Sequence, residues 1–508
     1  MQTHIYNRRL IIASFPKEEL VVADHARRHV RLDRAMGLKG LLLAGAVLFL
    51  GVLISAAQTA PAASTRIPPP QGGPFAGSVA SEPVPGTLRI SLQNGIDRGL
   101  RQNLGVLLSS ADIQSARGQR WEQLSALLPH VVAAPYVDVS KANLSEVGFS
   151  FKAPGLTFPT AVGPFSYFDA RVNVTQSLFD WKSISSARAA GQSLKSAQYT
   201  YKDARDLVVL AVGFSYLQAV ADQARIETAE AQVKTAQAIY SQVSEQVNAG
   251  TSPTIDGLRA KVELQTQQQQ LIQARNDFAI QKLTVARVIG LASGQEFELT
   301  DQALYQPFES LSVEECLRRA YTSRSDYQAA MTEVSAAEFS RHAAVAGYFP
   351  SLSFNTDFGA AGAHPSTATQ VFDVRGTLSI PVFQGGSVHG AVLQADARLA
   401  ESRERMASLR GQIDAEVRTA LLNLQSSAEQ VEVARSNIDL AEAALTQSRD
   451  RFSAGVADTV EVVQSQQAVA SAHEQYIGSL YGYNYAKISL ARSLGSAEVT
   501  VKEFFKGK

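Results

Sequence analysis

The pentapeptide YFDAR, from Tyr167 to Arg171, returns as VFDVR, from Val371 to Arg375, 204 positions later. Other landmarks keep a spacing of 204 or 205 positions: Phe179 with Phe383, Ala249-Gly250 with Ala454-Gly455, Arg287 with Arg492, and Gly290 with Gly495. Before these motifs the spacing is 221, as between Pro129 and Pro350, so the first copy holds a loop 17 residues longer there. Two copies of a unit that does not close alone predict a symmetric assembly rather than an active site.

Each motif begins a stretch in which polar and apolar residues alternate. In the first copy it runs from Asp169 to Ser177, and in the second from Phe372 to Ile380, after an earlier strand predicted from Ser351 to Phe358. A period of two over about 9–11 residues, with charges on the polar side, is typical of a transmembrane β-barrel with a wet lumen. A soluble antiparallel sheet with one face on a core is the alternative that this pattern leaves open.

Aromatic residues gather near the predicted strand ends, as they do in the interfacial girdle of a membrane protein. The predicted girdle comprises Phe149, Phe151, Phe165, Tyr167, Phe168 and Phe372. Two strands per copy are too few to close a barrel, since lipid-spanning barrels need about eight strands. Because an open sheet edge in lipid leaves backbone groups unpaired, we expect two, three or more chains to combine.

Long helical patterns follow the strands in both copies. The second copy has a coiled-coil seam at Val417, Ala420, Leu424, Ser427, Val431, Ala434, Ile438, Ala441 and Leu445, within a stretch free of Pro from Ala391 to Ser453. The first copy has a similar stretch from Ser185 to Asn248, so each long helix should reach roughly 100 Å. Single flanking helices are predicted near 91–128 and 253–289, each a little over half that length.

The N-terminal region predicts export. Leu41 to Ser55 is apolar, follows several Arg residues, and is too short for a ~30 Å bilayer core, which favours a signal peptide cleaved after Ala57 over a membrane anchor. Met36 would by itself begin a signal peptide of normal length, so either Met1 or Met36 is the start. Residues 58–86 are rich in Pro and predict an extended linker.

Composition excludes several classes of function. Lys+Arg and Asp+Glu both number 47, so no net field favours nucleic acid, and the one Cys, Cys316, excludes an internal disulfide and a cysteine metal cluster. The eight His residues are scattered, and no nucleotide-binding loop or nucleophile elbow is present, so we predict no enzyme, no metal and no cofactor.

The predicted organisation is an N-terminal extension and signal peptide (1–57), a linker (58–86), repeat 1 (87–290, strands within 130–179), a connector (291–311), repeat 2 (312–495, strands within 351–383) and a short tail (496–508).

The ends of the long helices carry turn signals. Gly250 and Gly455 each follow a long helix, where a left-handed residue commonly ends it. We predict that Thr251 or Ser252 caps the helix after the first turn, and that Asp458 caps the helix after the second.

The duplicated plan, with its AGxxxxx(D/E) turns, resembles the TolC-like outer-membrane efflux factor family over residues 87–495. The resemblance implies a homotrimer in a Gram-negative outer membrane: a β-barrel completed by trimerisation stands on a periplasmic α-helical barrel with an equatorial collar, which the short tail would reduce here. It also implies that the hairpin tips dock onto a periplasmic adaptor through Ala249, Gly250, Thr251, Ala454, Gly455 and Val456.

The family's periplasmic gate maps here onto Asp256, Phe452, Asp458, Glu461 and Gln464. Glu461 matches a ring aspartate, Gln464 the next one, and Asp256 the aspartate that latches the closed state. The latch tyrosine corresponds to Phe452, which has no hydroxyl, and the latch arginine to Ala457, so the resemblance does not carry the latch over. The alternative for Asp256 and Glu461 is a solvated first helical turn favoured by the macrodipole.

These observations predict a passive exit duct of a tripartite efflux or type I secretion system, with an adaptor and an inner-membrane pump of the RND or ABC type as partners. The alternative is a periplasmic adaptor or structural coiled-coil protein, although adaptors carry one hairpin between soluble β-domains. Neither cargo nor pump class is specified by these residues.

Overall fold

The computed structural model describes residues 75–504, apart from 145, 147, 149–151, 154–155, 158, 302–304 and 308–310. The predicted signal peptide, most of the linker, and Phe149 and Phe151 of the predicted girdle therefore lie outside the described residues. All that is described belongs to one compact unit, Ile67–Lys508.

The elements follow the same order in both halves of the chain. The first half contains β1 (Leu88–Ile90), α1 (Leu92–Gln102), α2 (Leu104–Ser125), β2 (His130–Ala133), β3 (Tyr136–Asn143), β4 (Lys152–Ala153), β5 (Leu156–Thr157), β6 (Ala161–Phe179), α3 (Trp181–Asn248) and α4 (Thr254–Ile289). The second contains β7 (Phe297–Leu299), α5 (Val313–Ser323), α6 (Ser325–Val345), β8 (Ser351–Gly362), β9 (Thr369–Ser379), α7 (Ser387–Ser453), α8 (Thr459–Ser493) and α9 (Ala497–Phe504), with 3-10 turns at Ala346–Tyr348 and Pro365–Thr367. The predicted mixture of paired strands and very long helices is confirmed.

The prediction of one unbroken helix near 91–128 is wrong. The helix breaks at Asn103, which is extended and caps α2: its side-chain oxygen accepts a hydrogen bond from the Gly105 N–H at 2.9 Å. The second half breaks at Arg324, 221 positions later, the spacing already seen between Pro129 and Pro350. Both breaks are therefore one duplicated feature of the repeat.

The N-terminal strap, residues 75–86, is bound to this break and to the end of α4. The Ser81 N–H and Oγ–H both donate to the Gly290 carbonyl, at 2.9 and 3.0 Å, and the Ser78 N–H donates to the Arg287 carbonyl at 3.1 Å. The Asn103 amide donates to the Phe75 carbonyl at 2.9 Å. The strap thus satisfies carbonyls that the end of a helix leaves without partners.

One antiparallel sheet is built from both halves. Its order is β2-β6-β8-β9, and β3 pairs with β6 beyond β2, so β2 and β3 together occupy the place of one strand. The β6–β8 pairing, in which Arg171 faces Gly359, joins the two copies. Within the described strands, β2 and β3 form one free edge of this sheet and β9 forms the other.

The predicted alternation along the strands is confirmed. The register places Asn173, Asp357 and Asp373 side by side on one face, and Val172, Phe358 and Phe372 on the other. The apolar face has no core beneath it, because its large side chains are exposed: Val137 63%, Val139 67%, Phe358 59%, Phe372 72%, Val374 62% and Leu378 62%. Burial of this face therefore requires something outside the single chain.

The long helices form a layer in which α3 is central. The predicted seam of α7 is confirmed, since Val417, Ala420, Leu424, Val431, Ala434 and Leu445 are buried. At 68 and 67 residues, α3 and α7 each measure about 100 Å. By length and composition α3 could cross a membrane. However, 67% of its most apolar 18-residue segment is buried inside the fold, which identifies it as a core helix.

The middle of the helical layer is held by charged residues and the tail. Arg324, 2% exposed, lies between Asp326 and Glu416, and Arg492 donates to Asp203 at 2.6 Å. Burial raises the pKa of the Asp203 carboxyl, which Arg492 opposes. β1 pairs in parallel with β7, and α9 docks on α3 through Arg205 and Glu498 at 2.7 Å, so the short tail packs against the helical layer.

Candidate functional site

The two hairpin turns end their long helices with the same backbone motif. At the first turn Gly250 has φ +71°, its N–H donates to the Val247 carbonyl at 3.1 Å, and the next N–H donates to the Gln246 carbonyl at 2.9 Å. At the second turn Gly455 has φ +74°, with the corresponding bonds both at 3.0 Å. These φ values confirm the predicted left-handed glycines. Glycine suits the position because this closure requires a positive φ, which other residues rarely adopt.

The helices after the two turns begin differently. Asp458 caps α8 as predicted, accepting a hydrogen bond from the Glu461 N–H at 3.0 Å. The prediction that Thr251 or Ser252 caps α4 is wrong, because Pro253 occupies the N-cap position without a side-chain bond. The two hydroxyls turn back to α3 instead: Thr251 donates to the Gln246 carbonyl at 3.0 Å, and Ser252 donates to the Gln246 side chain at 3.1 Å.

The tips of the two hairpins share a small apolar core. It contains Ile239 and Val243 of α3, Ala260 of α4, Leu445 of α7 and Val462 of α8, and the half-buried ring of Phe452 packs against it. Phe452 is therefore part of the packing between the hairpins. Asp256 accepts a hydrogen bond from Arg259 of its own helix at 3.3 Å.

Glu461 forms an ion pair across the second turn with Arg451, at 3.2 Å. Sequence reasoning missed Arg451, although a cation in the last turn of a helix is the arrangement that the macrodipole favours. Asp458 and Gln464 of the predicted gate are exposed on the first turns of α8. All six residues predicted to dock the adaptor are exposed at the tips, including Val456 at 67%.

A buried polar contact between the hairpins was also missed. Glu263 of α4 is 5% exposed and accepts hydrogen bonds from Gln267 at 2.8 Å and from Gln467 of α8 at 3.2 Å. Glutamines crowd residues 265–270, but the helical pattern of the sequence did not show which of them would face the second hairpin.

The duplicated motif gives the polar face of the sheet a set of ion pairs. Arg171 pairs with Asp169 on its own strand and donates to Asp357 of β8 at 3.1 Å, while the Tyr167 hydroxyl donates to Asp169 at 3.0 Å. In the second copy Arg375 donates to Asp373 at 2.8 Å. The register thus places Tyr167, and with it Phe165, on the polar face, whereas Phe168 and Phe372 lie on the apolar face.

Among the residues that the structure describes, no group of three or more His, Cys, Asp or Glu side chains is arranged to hold a metal ion. A surface cleft of about 430 Å³ lies between α6 and α7 and is lined by already paired charges, Arg341 with Asp396 and Arg403 with Glu338. The features of the molecule that remain to be explained are its open sheet and its exposed tips.

The family described as outer membrane efflux protein matches residues 96–291 and 316–496, well over half of the chain. The gap between the two matched parts, residues 292–315, overlaps the connector predicted at 291–311.

Known proteins with similar sequence and fold agree with this match. The pyoverdine export outer membrane protein OpmQ of Pseudomonas putida is 24% identical over 338 residues, which is 65% of this chain and 70% of OpmQ. The outer membrane protein TolC of Escherichia coli is 22% identical over 353 residues, 64% of this chain and 69% of TolC. The crystal structure of the Campylobacter jejuni outer membrane channel CmeC superposes with a TM-score of 0.69 at 16% identity, covering 81% of this chain and 88% of that one.

Proposed function

Because the chain belongs to the outer membrane efflux protein family, it is an outer-membrane exit duct, and we propose that it works as a homotrimer opened from the periplasm. In this proposal a periplasmic adaptor and an inner-membrane pump supply the energy, and the duct itself is passive. The observation that carries the proposal is a sheet with an exposed apolar face and two free edges, continuous with helices about 100 Å long.

The free edges support association with further copies of the chain. The strand order leaves β2 and β3 at one edge and β9 at the other, so the β9 edge of one subunit can pair with the β2–β3 edge of the next. Three subunits with four strand positions each form a closed barrel above the minimum of about eight strands. The resemblance to the TolC-like family favours three copies over two or four.

The height of the apolar face supports its contact with lipid. Phe383 lies 11 residues after Phe372 and four residues past the end of β9 at Ser379. Phe168 and Phe179 are also 11 residues apart, and both lie within β6. At ~3.3 Å per residue and a tilt of 35–45°, this separation is about 25–30 Å, close to the ~25 Å apolar band of outer-membrane barrels. We therefore restrict the described part of the girdle to Phe168 and Phe372 and add a second level at Phe179 and Phe383, the latter 88% exposed.

The exposed turns support docking of an adaptor. The left-handed closure leaves the backbone at Gly250 and Gly455 without side chains over it, and Val456 projects beside the second turn. The proposed contact set remains Ala249, Gly250, Thr251, Ala454, Gly455 and Val456.

We expect opposite effects from the two partners of the pair at the second turn. In the proposed gate, Glu461→Gln should weaken block by divalent cations, because it removes three carboxylates from the trimer. Arg451→Gln should strengthen the block, because it frees the Glu461 carboxylate from its guanidinium partner at 3.2 Å. Both are measured as the divalent concentration that halves conductance in planar bilayers, and equal block in the two variants would remove Glu461 from the gate.

The proposed function is tested by the state of the protein in membranes. We expect the full-length chain in the outer-membrane fraction as a heat-sensitive trimer, and Thr251→Cys to crosslink to the adaptor. Leu107→Cys, on α2 and 39% exposed, is the matched control far from the tips and should not crosslink to the adaptor. Recovery of a stable monomer from the soluble periplasmic fraction would contradict the proposal.

A further inference from the structure

The duplicated motif that decides the fold has no part in docking or in the proposed gate. In both copies it forms the same ion pair within one strand, Arg171 with Asp169 and Arg375 with Asp373. The alternation of polar and apolar residues requires only that one face of the sheet be polar. It does not explain why both copies place a carboxylate and a guanidinium on that face. The charge on this face therefore needs its own account.

The paired rows of the polar face carry more carboxylates than guanidiniums. The register places on this face Asp138, Asp169, Asp357 and Asp373, against Arg171 and Arg375. Lys141 stands at the bulge between Ser140 and Ala142, at the loop end of β3 and outside the paired rows. The excess in the paired rows is two negative charges per chain.

The ion pairs do not remove this excess. Arg171 is shared between Asp169, which is 1% exposed, and Asp357 at 3.1 Å, so these three side chains retain one negative charge. Gly359 lies opposite Arg171 in the register, and a Cβ there would lie 2.8 Å from the Arg171 Cγ, so glycine leaves room for the stem of this side chain. Asp138 of β3 is exposed and contributes the second negative charge.

The two motifs come to similar heights in a tilted barrel. Asp169 is level in the register with Ala361 and Thr369, four residues before Asp373, so the pairing is staggered by four residues over two strands. Strand tilt produces a stagger of this kind in a closed barrel. Three subunits would therefore align six carboxylate–guanidinium pairs in one band, with an excess of about six negative charges.

We propose that this charged band gives the barrel section of the duct its own preference for cations, separate from the gate at the hairpin tips. The proposal rests on the proposed function, since it needs three subunits around a wet lumen. Charges of one sign on a low-dielectric wall raise the local concentration of counter-ions, so the band favours cationic solutes and disfavours anionic ones as they leave.

The test is the reversal potential of single channels in a KCl gradient, with Glu461→Gln as background so that the Glu461 carboxylates of the gate are absent. The background channel should keep a preference for K⁺ over Cl⁻, and adding Asp138→Asn with Asp357→Asn should abolish it. Arg375→Gln in the same background should increase the preference, which a general loss of structure would not do.

Two results would overturn the inference: a background channel without preference, or an unchanged reversal potential in the Asp138→Asn and Arg375→Gln variants. Asp138→Asn alone is informative if Asp357→Asn prevents assembly, because Asp138 is exposed. A wild-type chain that forms neither trimer nor channel would instead defeat the proposed function, so the two failures are distinguishable.

Discussion

We expect Leu378→Arg to abolish assembly in the outer membrane. Leu378 lies on the apolar face of β9, six residues after Phe372 and five before Phe383, midway across the proposed lipid-facing band. An arginine at the midplane of a barrel costs about 2–4 kcal/mol on the lipid face, and a trimer would carry three. In a water-soluble protein the same change would be nearly silent, within about 0.5 kcal/mol, because Leu378 is 62% exposed.

Thr377→Arg is the matched control. Thr377 is the preceding residue of β9, is exposed, and lies on the polar face beside Ser353. We expect this variant to assemble, because its guanidinium would face the wet lumen. The measurement is the yield of heat-sensitive trimer in outer-membrane fractions. Equal yields from Leu378→Arg and Thr377→Arg would show that the exposed apolar face does not contact lipid.

A second large effect is expected from Gly359→Ala, a change of one methyl group. A Cβ at this position would lie 2.1 Å from the Ala170 carbonyl oxygen and 2.6 Å from the Arg171 Cα. Both neighbours are backbone atoms, so β6 and β8 must move apart, and this pairing is what joins the two copies. Overpacking of this kind costs about 1–3 kcal/mol in each subunit, so we expect reduced trimer yield and a lower temperature of trimer dissociation.

Gly376→Ala provides the comparison for this substitution. Gly376 lies in β9 opposite Phe354, and a Cβ there would meet nothing within 4 Å. The two glycines lie in neighbouring strands. If alanine destabilised these strands at any position, both variants would therefore have a lower dissociation temperature. A dissociation temperature lowered equally by both changes would contradict a role for the close approach at Gly359.

The features predictable from the sequence were those that repeat along an element. The period of two in β6, β8 and β9 gave the faces of the sheet, and the seam of α7 gave its buried side. Gly250 and Gly455 were identifiable because the left-handed turn has a strong residue preference. In each case the local pattern and the tertiary structure favour the same arrangement.

The features that were missed depend on which partner a residue meets. Asn103 is an ordinary polar residue within a helical pattern, yet its side chain begins a new helix and binds Phe75 of the strap. Arg451 and Glu461 meet only because the second turn folds back. Tyr167 was predicted to belong to the girdle because it lies near a strand end. In the structure its hydroxyl bonds to Asp169, and the strand register places its side chain on the polar face.

The N-terminal strap also has a consequence for the order of folding. Its Ser78 and Ser81 bond to carbonyls of Val288 and Gly290, 210 and 209 residues further along the chain. The strap therefore precedes its binding partners by about 210 residues in the chain. The end of the α3–α4 hairpin must therefore be in place before the strap can attach, so the strap is among the last parts of repeat 1 to become ordered.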